Sequence, residues 1–185
     1  RRQTYFSIGF RPRTEQRVRL GATEDGRLTA IIQEGIGQTS VYEQYAEVTL
    51  EPPRKIYSCP NVLTHYRLVP MHTNSPCPMR APGTSTGVMA HEIAMDELAE
   101  ALDIDPLELR LRNYAERDED KGLPWSSKEL RTCYRMAAEH FGWEKRPRKL
   151  GAYPVPFGGA QFRATVRPAA ERHDVQRAGF ATRPD

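Results

Sequence analysis

The chain has 185 residues, 38% of them apolar, and its 27 basic and 24 acidic residues leave a net charge of +3. That length suits one domain or part of a larger one, and so small a charge excess does not mark a nucleic-acid binder. Three cysteines, Cys59, Cys77 and Cys133, stand far apart without a Cys-x-x-Cys pair, which argues against a zinc or iron–sulfur site built by this chain alone.

Residues 4 to 50 read as strands. Tyr5, Phe6, Ile8 and Phe10 make a short aromatic run, and 17–22 (RVRLGA) alternates polar and apolar side chains with the period of a half-buried strand. Asp25-Gly26 then accepts a turn and Leu28 to Ile32 resumes the apolar run, which predicts a β-hairpin. Pro52, Pro53 and Pro60 mark residues 51–61 as a connection, and Val62 to Val69 as the next strand. A helix follows over 87–102, with Met89, Ile93, Ala94, Leu98, Ala101 and Leu102 as its apolar stripe. A second starts at Asp105-Pro106, with Asp105 as cap and Glu108 placed to reach back to the cap amide, and ends near Asn113-Tyr114. A charged connection over 116–122 leads to a third helix, which starts at Ser126 with Glu129 three residues on. It is expected to bury Leu130, Tyr134, Ala137 and Phe141, with Cys133 on the same packing face and Gly142 as a left-handed stop. Gln161 to Val166 reads as a further strand; the tail from Arg167 has no usable period. Strands, then helices, then a return to strand indicate a mixed α/β (α+β) class.

Few residues carry chemistry. His65, His72, His91, His140 and His173 are scattered without an i,i+4 pair, so no metal cluster is expected. There is no Gly-x-Ser-x-Gly, and Phe157-Gly158-Gly159 lacks the lysine of a phosphate loop. Basic residues gather at Arg1, Arg2, Arg11, Arg13, Arg17 and Arg19 and again at Lys145, Arg146, Arg148 and Lys149, a pattern read as a solvated face or subunit contact. No stretch reaches the roughly 18 apolar residues of a membrane span. The opening Arg1-Arg2, with neither Met nor signal region, suggests a piece of something longer. That leaves Arg80. Pro76, Pro78 and Pro82 stiffen its turn, Gly83 and Gly87 permit close backbone approach, and the helix start behind it adds amides and partial positive charge. Such a place suits an anion held by a guanidinium fork. The competing reading is a structural arginine that ties the turn to carbonyls or to acids of the helix.

The run Pro78-Met79-Arg80-Ala81-Pro82-Gly83, the helix motif from Ala90 to Ala99, Asp105 to Asn113 and 123–146 (LPWSSKELRTCYRMAAEHFGWEKR) together resemble the molybdenum-binding large subunit of the xanthine dehydrogenase/aldehyde oxidase family, its bacterial aldehyde oxidoreductase branch in particular. The resemblance implies that residues 1–146 are part of a molybdopterin-binding domain, and that 147–185 start the following segment, truncated or poorly ordered. It implies a molybdenum–molybdopterin cofactor, in the cytosine dinucleotide form. It also implies oxidation of aldehydes or aromatic heterocycles with water-derived oxygen, and iron–sulfur (2Fe-2S) and FAD partner subunits. The family's arginine turn falls on Arg80, which would lie near the molybdenum without ligating it, with Ala81, Pro82 and Gly83 lining the same wall. Xanthine-oxidising relatives carry an aromatic residue where this chain has Pro82, and an arginine after a glutamate where the motif falls on Glu43-Gln44. Gln44 and Pro82 are therefore the substrate-pocket candidates, and they favour aldehydes or another small aromatic over purines. The family's general-base glutamate and glycine-rich molybdenum loop match nothing here, so no catalytic residue is assigned. A cytoplasmic location is expected, with the periplasm as alternative. The other function class considered is a non-catalytic module whose basic ends and helices hold an acidic protein or nucleic acid.

Overall fold

The computed structural model describes Arg2 and residues 8–146. Its centre is a three-stranded sheet in the order β1 (Thr14–Ala22), β2 (Leu28–Ser40), β3 (Val62–Met71). The expected hairpin forms: β1 and β2 pair antiparallel, from Thr14 opposite Gly37 to Ala22 opposite Leu28. The turn between them closes through hydrogen bonds from the Thr23 N–H to the Arg27 carbonyl and from the Gly26 N–H to the Thr23 carbonyl. β3 pairs parallel to β2, Ile31 opposite Val62 through Ser40 opposite Met71. A parallel neighbour requires a crossover, and residues 41–61 supply it, with a 3-10 turn at Pro52–Arg54. The aromatic run before the hairpin is not a strand where it is described: Ile8 to Arg13 is a strap outside any ladder.

Three helices follow: α1 (Thr84–Ala101), α2 (Pro106–Arg112) and α3 (Leu130–Phe141). α1 begins one turn earlier than expected and is rotated from the expected stripe. Gly87, His91, Met95 and Ala99 are its buried positions, while Met89 is 57% exposed. The crossover helps to set the rotation, because the Thr49 carbonyl approaches α1 where only a glycine, at 87, leaves room; Leu98 and Leu102 of the expected stripe still pack, partly buried, against the core. The core joins Leu28 and Ile31 of β2, Tyr57 and Cys59 of the crossover, Met95 and Ala99 of α1 and Leu109 of α2. His91 lies inside this layer at zero exposure, its ring stacked on Tyr57 at 5.5 Å, and neither ring nitrogen has a hydrogen-bond partner among the described residues. Burial drives its pKa down to about 4. Beside it Glu92 accepts from the Tyr57 hydroxyl (2.7 Å) and pairs with Arg110 of α2 (2.7 Å).

α2 starts as the sequence predicts. Asp105 Oδ1 accepts from the amides of Leu107 (2.8 Å) and Glu108 (3.2 Å). Glu108 does not reach back to the cap; it pairs with Arg112 one turn on (2.9 Å). Buried Asn113 fastens the end of α2 to the hairpin. Its Nδ2 donates to the carbonyls of Gly26 (2.8 Å) and Leu109 (2.9 Å), and its Oδ1 accepts from the Leu28 N–H (2.8 Å).

The charged connection holds a two-residue ladder, β4 (Arg117–Asp118) with β5 (Leu123–Pro124), where Asp118 Oδ1 accepts from the amides of Asp120 and Lys121. α3 departs most from expectation. It starts at Leu130, not Ser126, because residues just before it are held elsewhere: the Lys128 carbonyl accepts from the Tyr114 hydroxyl, and Lys128 Nζ donates to the Ala115 carbonyl. None of its residues is buried; Phe141 is 73% exposed and Cys133 is exposed. Gly142 ends it in the left-handed conformation, φ 74°. The expected strand at 161–166 lies outside the described residues. The mixed sheet with its helical layer is the α/β class expected.

Candidate functional site

Arg80 sits at the end of an irregular stretch that leaves β3, and its guanidinium is exposed with no ion pair or hydrogen bond among the described residues. The next residue, Ala81, has φ 55° and Gly83 has φ 67°. For an L-residue such as alanine the left-handed conformation costs about 1 kcal/mol or more, so something must hold Ala81 there. That something is Arg11. Its Nη2 donates to the Arg80 carbonyl (2.6 Å) and its Nη1 to the Ala81 carbonyl (3.2 Å). The same guanidinium pairs with Glu47 Oε1 at 3.3 Å, and the Glu47 side chain is wholly buried. A second tie lies alongside: the Cys77 N–H donates to the Phe10 carbonyl at 3.1 Å. The role anticipated as the rival explanation of Arg80, an arginine tying the turn to carbonyls, is thus performed by Arg11, and Arg80 is left free.

Behind the turn, Gly83 occupies the cap position before α1, which has no side-chain cap and no acidic residue in its first turn. The exposed N-terminus of an 18-residue helix therefore keeps its partial positive charge. Two glycines dock this helix start on the crossover. A Cβ on Gly83 would stand 2.5 Å from the Val48 carbonyl carbon, and one on Gly87 would fall on the Thr49 carbonyl oxygen. The close approach that these glycines signal is thus to the chain's own backbone, and buried Gly83 serves that packing, unlike the exposed Ala81 and Pro82. From the sheet, Gln16 Nε2 donates to the Thr86 carbonyl (3.2 Å) and Gln33 Nε2 to that of Gly87 (3.4 Å), so β1 and β2 grip the same helical turn.

Of the site residues expected from sequence, the structure brings Arg80, Ala81, Pro82 and Gly83 together at this turn. Gln44 is exposed, and among the described residues no hydrogen bond ties it to the turn; the part of the crossover that reaches the turn is Glu47 to Thr49. Arg11 and Glu47 were not singled out. Arg11 was grouped with the basic residues of the chain's beginning as a solvated or subunit-facing arginine, and its partner stands 36 positions away. Other members of that group are engaged too: Arg13 with Glu15 and Arg19 with Glu34, each at 2.8 Å on the surface. A groove lined by Leu107, Arg110, Tyr134, Phe141 and Trp143 lies within the helical layer and includes no residue of the turn. No group of three or more metal-ligating side chains exists among the described residues.

The donor set suits an anionic metallopterin. It comprises a guanidinium unpaired among the described residues and the partial positive charge of the helix start, whose Thr84 and Ser85 amides donate to the Pro82 and Ala81 carbonyls, with no carboxylate in the helix's first turn to repel negative charge. It offers no ligand for the metal itself.

Residues 1–114 match the family model of the molybdopterin cofactor-binding domain. The aldehyde oxidoreductase molybdenum-binding subunit PaoC of Escherichia coli K12 is 37% identical over 137 residues, covering 74% of this chain and 19% of that protein. The xanthine dehydrogenase molybdenum-binding subunit of Escherichia coli O157:H7 is 32% identical over 135 residues, covering 69% of this chain and 18% of that protein. In structure, the aldehyde oxidoreductase of Desulfovibrio gigas superposes with a TM-score of 0.65 at 26% identity, over 73% of this chain and 16% of that one. The chain therefore spans about a fifth of the length of the curated relatives it matches.

Proposed function

Because this chain belongs to the molybdopterin cofactor-binding domain family, we propose that its Arg80 turn is one wall of the cofactor site in a molybdenum hydroxylase. Its substrate is an aldehyde or a small aromatic heterocycle, and the relatives named for aldehydes support the first of these. The cytosine dinucleotide form of the cofactor, iron–sulfur and FAD partner subunits and a cytoplasmic assembly complete the proposal.

The observation that carries this reading is the unpaired Arg80 guanidinium in front of the uncapped start of α1. An exposed arginine with no partner among the described residues contributes little to folding, whereas its fork of N–H donors, in the field of the helix start, offers a preset contact for oxo and pyrophosphate oxygens. When bound, the cofactor supplies the two-electron redox chemistry. The chain's part is to bind and orient. Arg80 donates hydrogen bonds to anionic oxygens, and the α1 N-terminus adds its field. Ala81 and Pro82 present small, rigid surfaces that exclude water without competing for those donors. Nothing in the ion-paired Arg11, Arg13 and Arg19 favours a nucleic-acid module.

The test is Arg80→Ala in the full-length subunit assembled with its partners. Loss of a preorganised donor to a charged centre costs about a hundred- to a thousandfold in turnover, so aldehyde oxidation should fall by that order while the melting temperature stays at the wild-type value. Arg80→Lys, which keeps the charge but not the fork, should lie between. Wild-type turnover in Arg80→Ala overturns the proposal.

A further inference from the structure

We infer that Arg11 is a positioning residue: anchored on the buried carboxylate of Glu47, its guanidinium sets the left-handed turn from which Arg80 departs. The inference rests on the reading of Arg80 as a cofactor contact and deepens it.

Three acceptors converge on one fork: the carbonyls of Arg80 and Ala81 and the Glu47 carboxylate. The two carbonyls belong to consecutive residues, and the second is the one held at φ 55°. Gripping both fixes the peptide between them, and with it the backbone that carries the Arg80 side chain. Glu47 is an unlikely choice for stability alone. Its side chain is fully buried, and its Oε2 has no partner among the described residues. Burying a half-satisfied carboxylate costs more than burying an apolar side chain of similar size. What it provides is placement, since it pins one end of the fork and leaves the remaining N–H donors aimed at the turn. Arginine is required for this, because a lysine ammonium can neutralise Glu47 but cannot span two adjacent carbonyls in a fixed plane. The strap bearing Arg11 is itself tied to the loop by the hydrogen bond between the Cys77 N–H and the Phe10 carbonyl, so the grip is made from a fixed base.

The experiment uses the full-length subunit with its partner subunits and three variants: Arg11→Lys, Arg80→Ala and the double Arg11→Lys/Arg80→Ala. Arg11→Lys keeps the ion pair with Glu47, so its melting temperature should match the wild type. Its turnover should nevertheless fall by about ten- to a hundredfold, the effect of a misplaced contact. Hydrogen exchange at the backbone amides of 80–86, followed in the cofactor-free subunit, should be faster than in the wild type. In the double variant, turnover and molybdenum retained per subunit should be no lower than in Arg80→Ala alone, because Arg11 acts only through Arg80. Wild-type turnover in Arg11→Lys beside loss in Arg80→Ala overturns this inference while sparing the reading beneath it. So do losses that add in the double variant. Wild-type turnover in Arg80→Ala overturns the underlying reading itself.

Discussion

Between its ordinary pKa of 6.5 and the value of about 4 that burial imposes, His91 binds a proton in the unfolded chain and refuses it in the folded one. Its neighbours Glu92, which favours the charged ring, and Arg110, which opposes it, do not reverse that outcome. The folded pKa is depressed, so the stability that depends on a neutral ring is complete above about pH 6.5 and drains away as the pH falls toward 4. The integrated effect is at most about 3 kcal/mol. Replacing the ring by one that cannot titrate should remove this slope. His91→Phe, which keeps the stack on Tyr57 and deletes two unsatisfied nitrogens, should unfold at a higher urea concentration than the wild type and without the histidine's share of the pH dependence. That excess over wild type should grow on going from about pH 7.5 to about pH 4.5. A difference between variant and wild type that does not change with pH would contradict the assignment. At this scale the sequence discloses residues whose chemistry is local. The Asp105 cap was legible because the amides that donate to it lie two and three positions away. His91, Asn113, Arg11 and Glu47 were not, since each takes its meaning from a partner or a burial that no short window contains.

Among the elements, α1 shows how packing overrides propensity. A glycine four residues into a helix should be improved by alanine, which gains about 1 kcal/mol of helix propensity. Here the added Cβ would land on the Thr49 carbonyl, which is backbone and has no rotamer to escape into. Overpacking of that kind costs about 1–3 kcal/mol, and the helix start must also lift off the crossover that locates the turn. Gly87→Ala should therefore lower the midpoint of thermal unfolding; a rise would mean that the crossover yields. The same contact explains the misread stripe. Periodicity alone favoured a stripe through Met89, Ile93 and Leu98; Leu98 does pack against the core, but the crossover demands a glycine where the helix meets Thr49, and the fully buried positions fall at Gly87, His91, Met95 and Ala99, leaving Met89 exposed. The hairpin, the crossover strand and the limits of α2 were legible because alternation, Asp-Gly and Asp-Pro act locally. The start of α3 was not, because Lys128 is claimed by Ala115 and by the rings of Tyr114 and Trp125.

At the scale of the whole molecule, the chain carries faces that a larger protein would cover. β3 is an edge strand of its sheet among the described residues, and Leu63, Val69 and Met71, which alternate onto one face of it, are each close to half exposed. Met136 and Phe141 of α3 are exposed as well. Open strand edges with apolar side chains pair with other chains. The chain produced alone should consequently self-associate, and Leu63→Lys with Val69→Lys should return it toward monomer in light-scattering measurements. A monomeric wild-type chain at about 100 µM, a concentration where exposed edges ordinarily aggregate, would show that these faces are already protected.

The Arg11 fork and the carbonyls it holds stand 69 and 70 positions apart. A ribosome delivers the strap and the hairpin well before it delivers the turn, and loop closure over that length is slow relative to hairpin and helix formation. The grip on the turn accordingly forms only after the β-sheet frame has been delivered: it waits until residue 81 has cleared the exit tunnel and met an arginine synthesised seconds earlier, and the helices that follow the turn emerge later still.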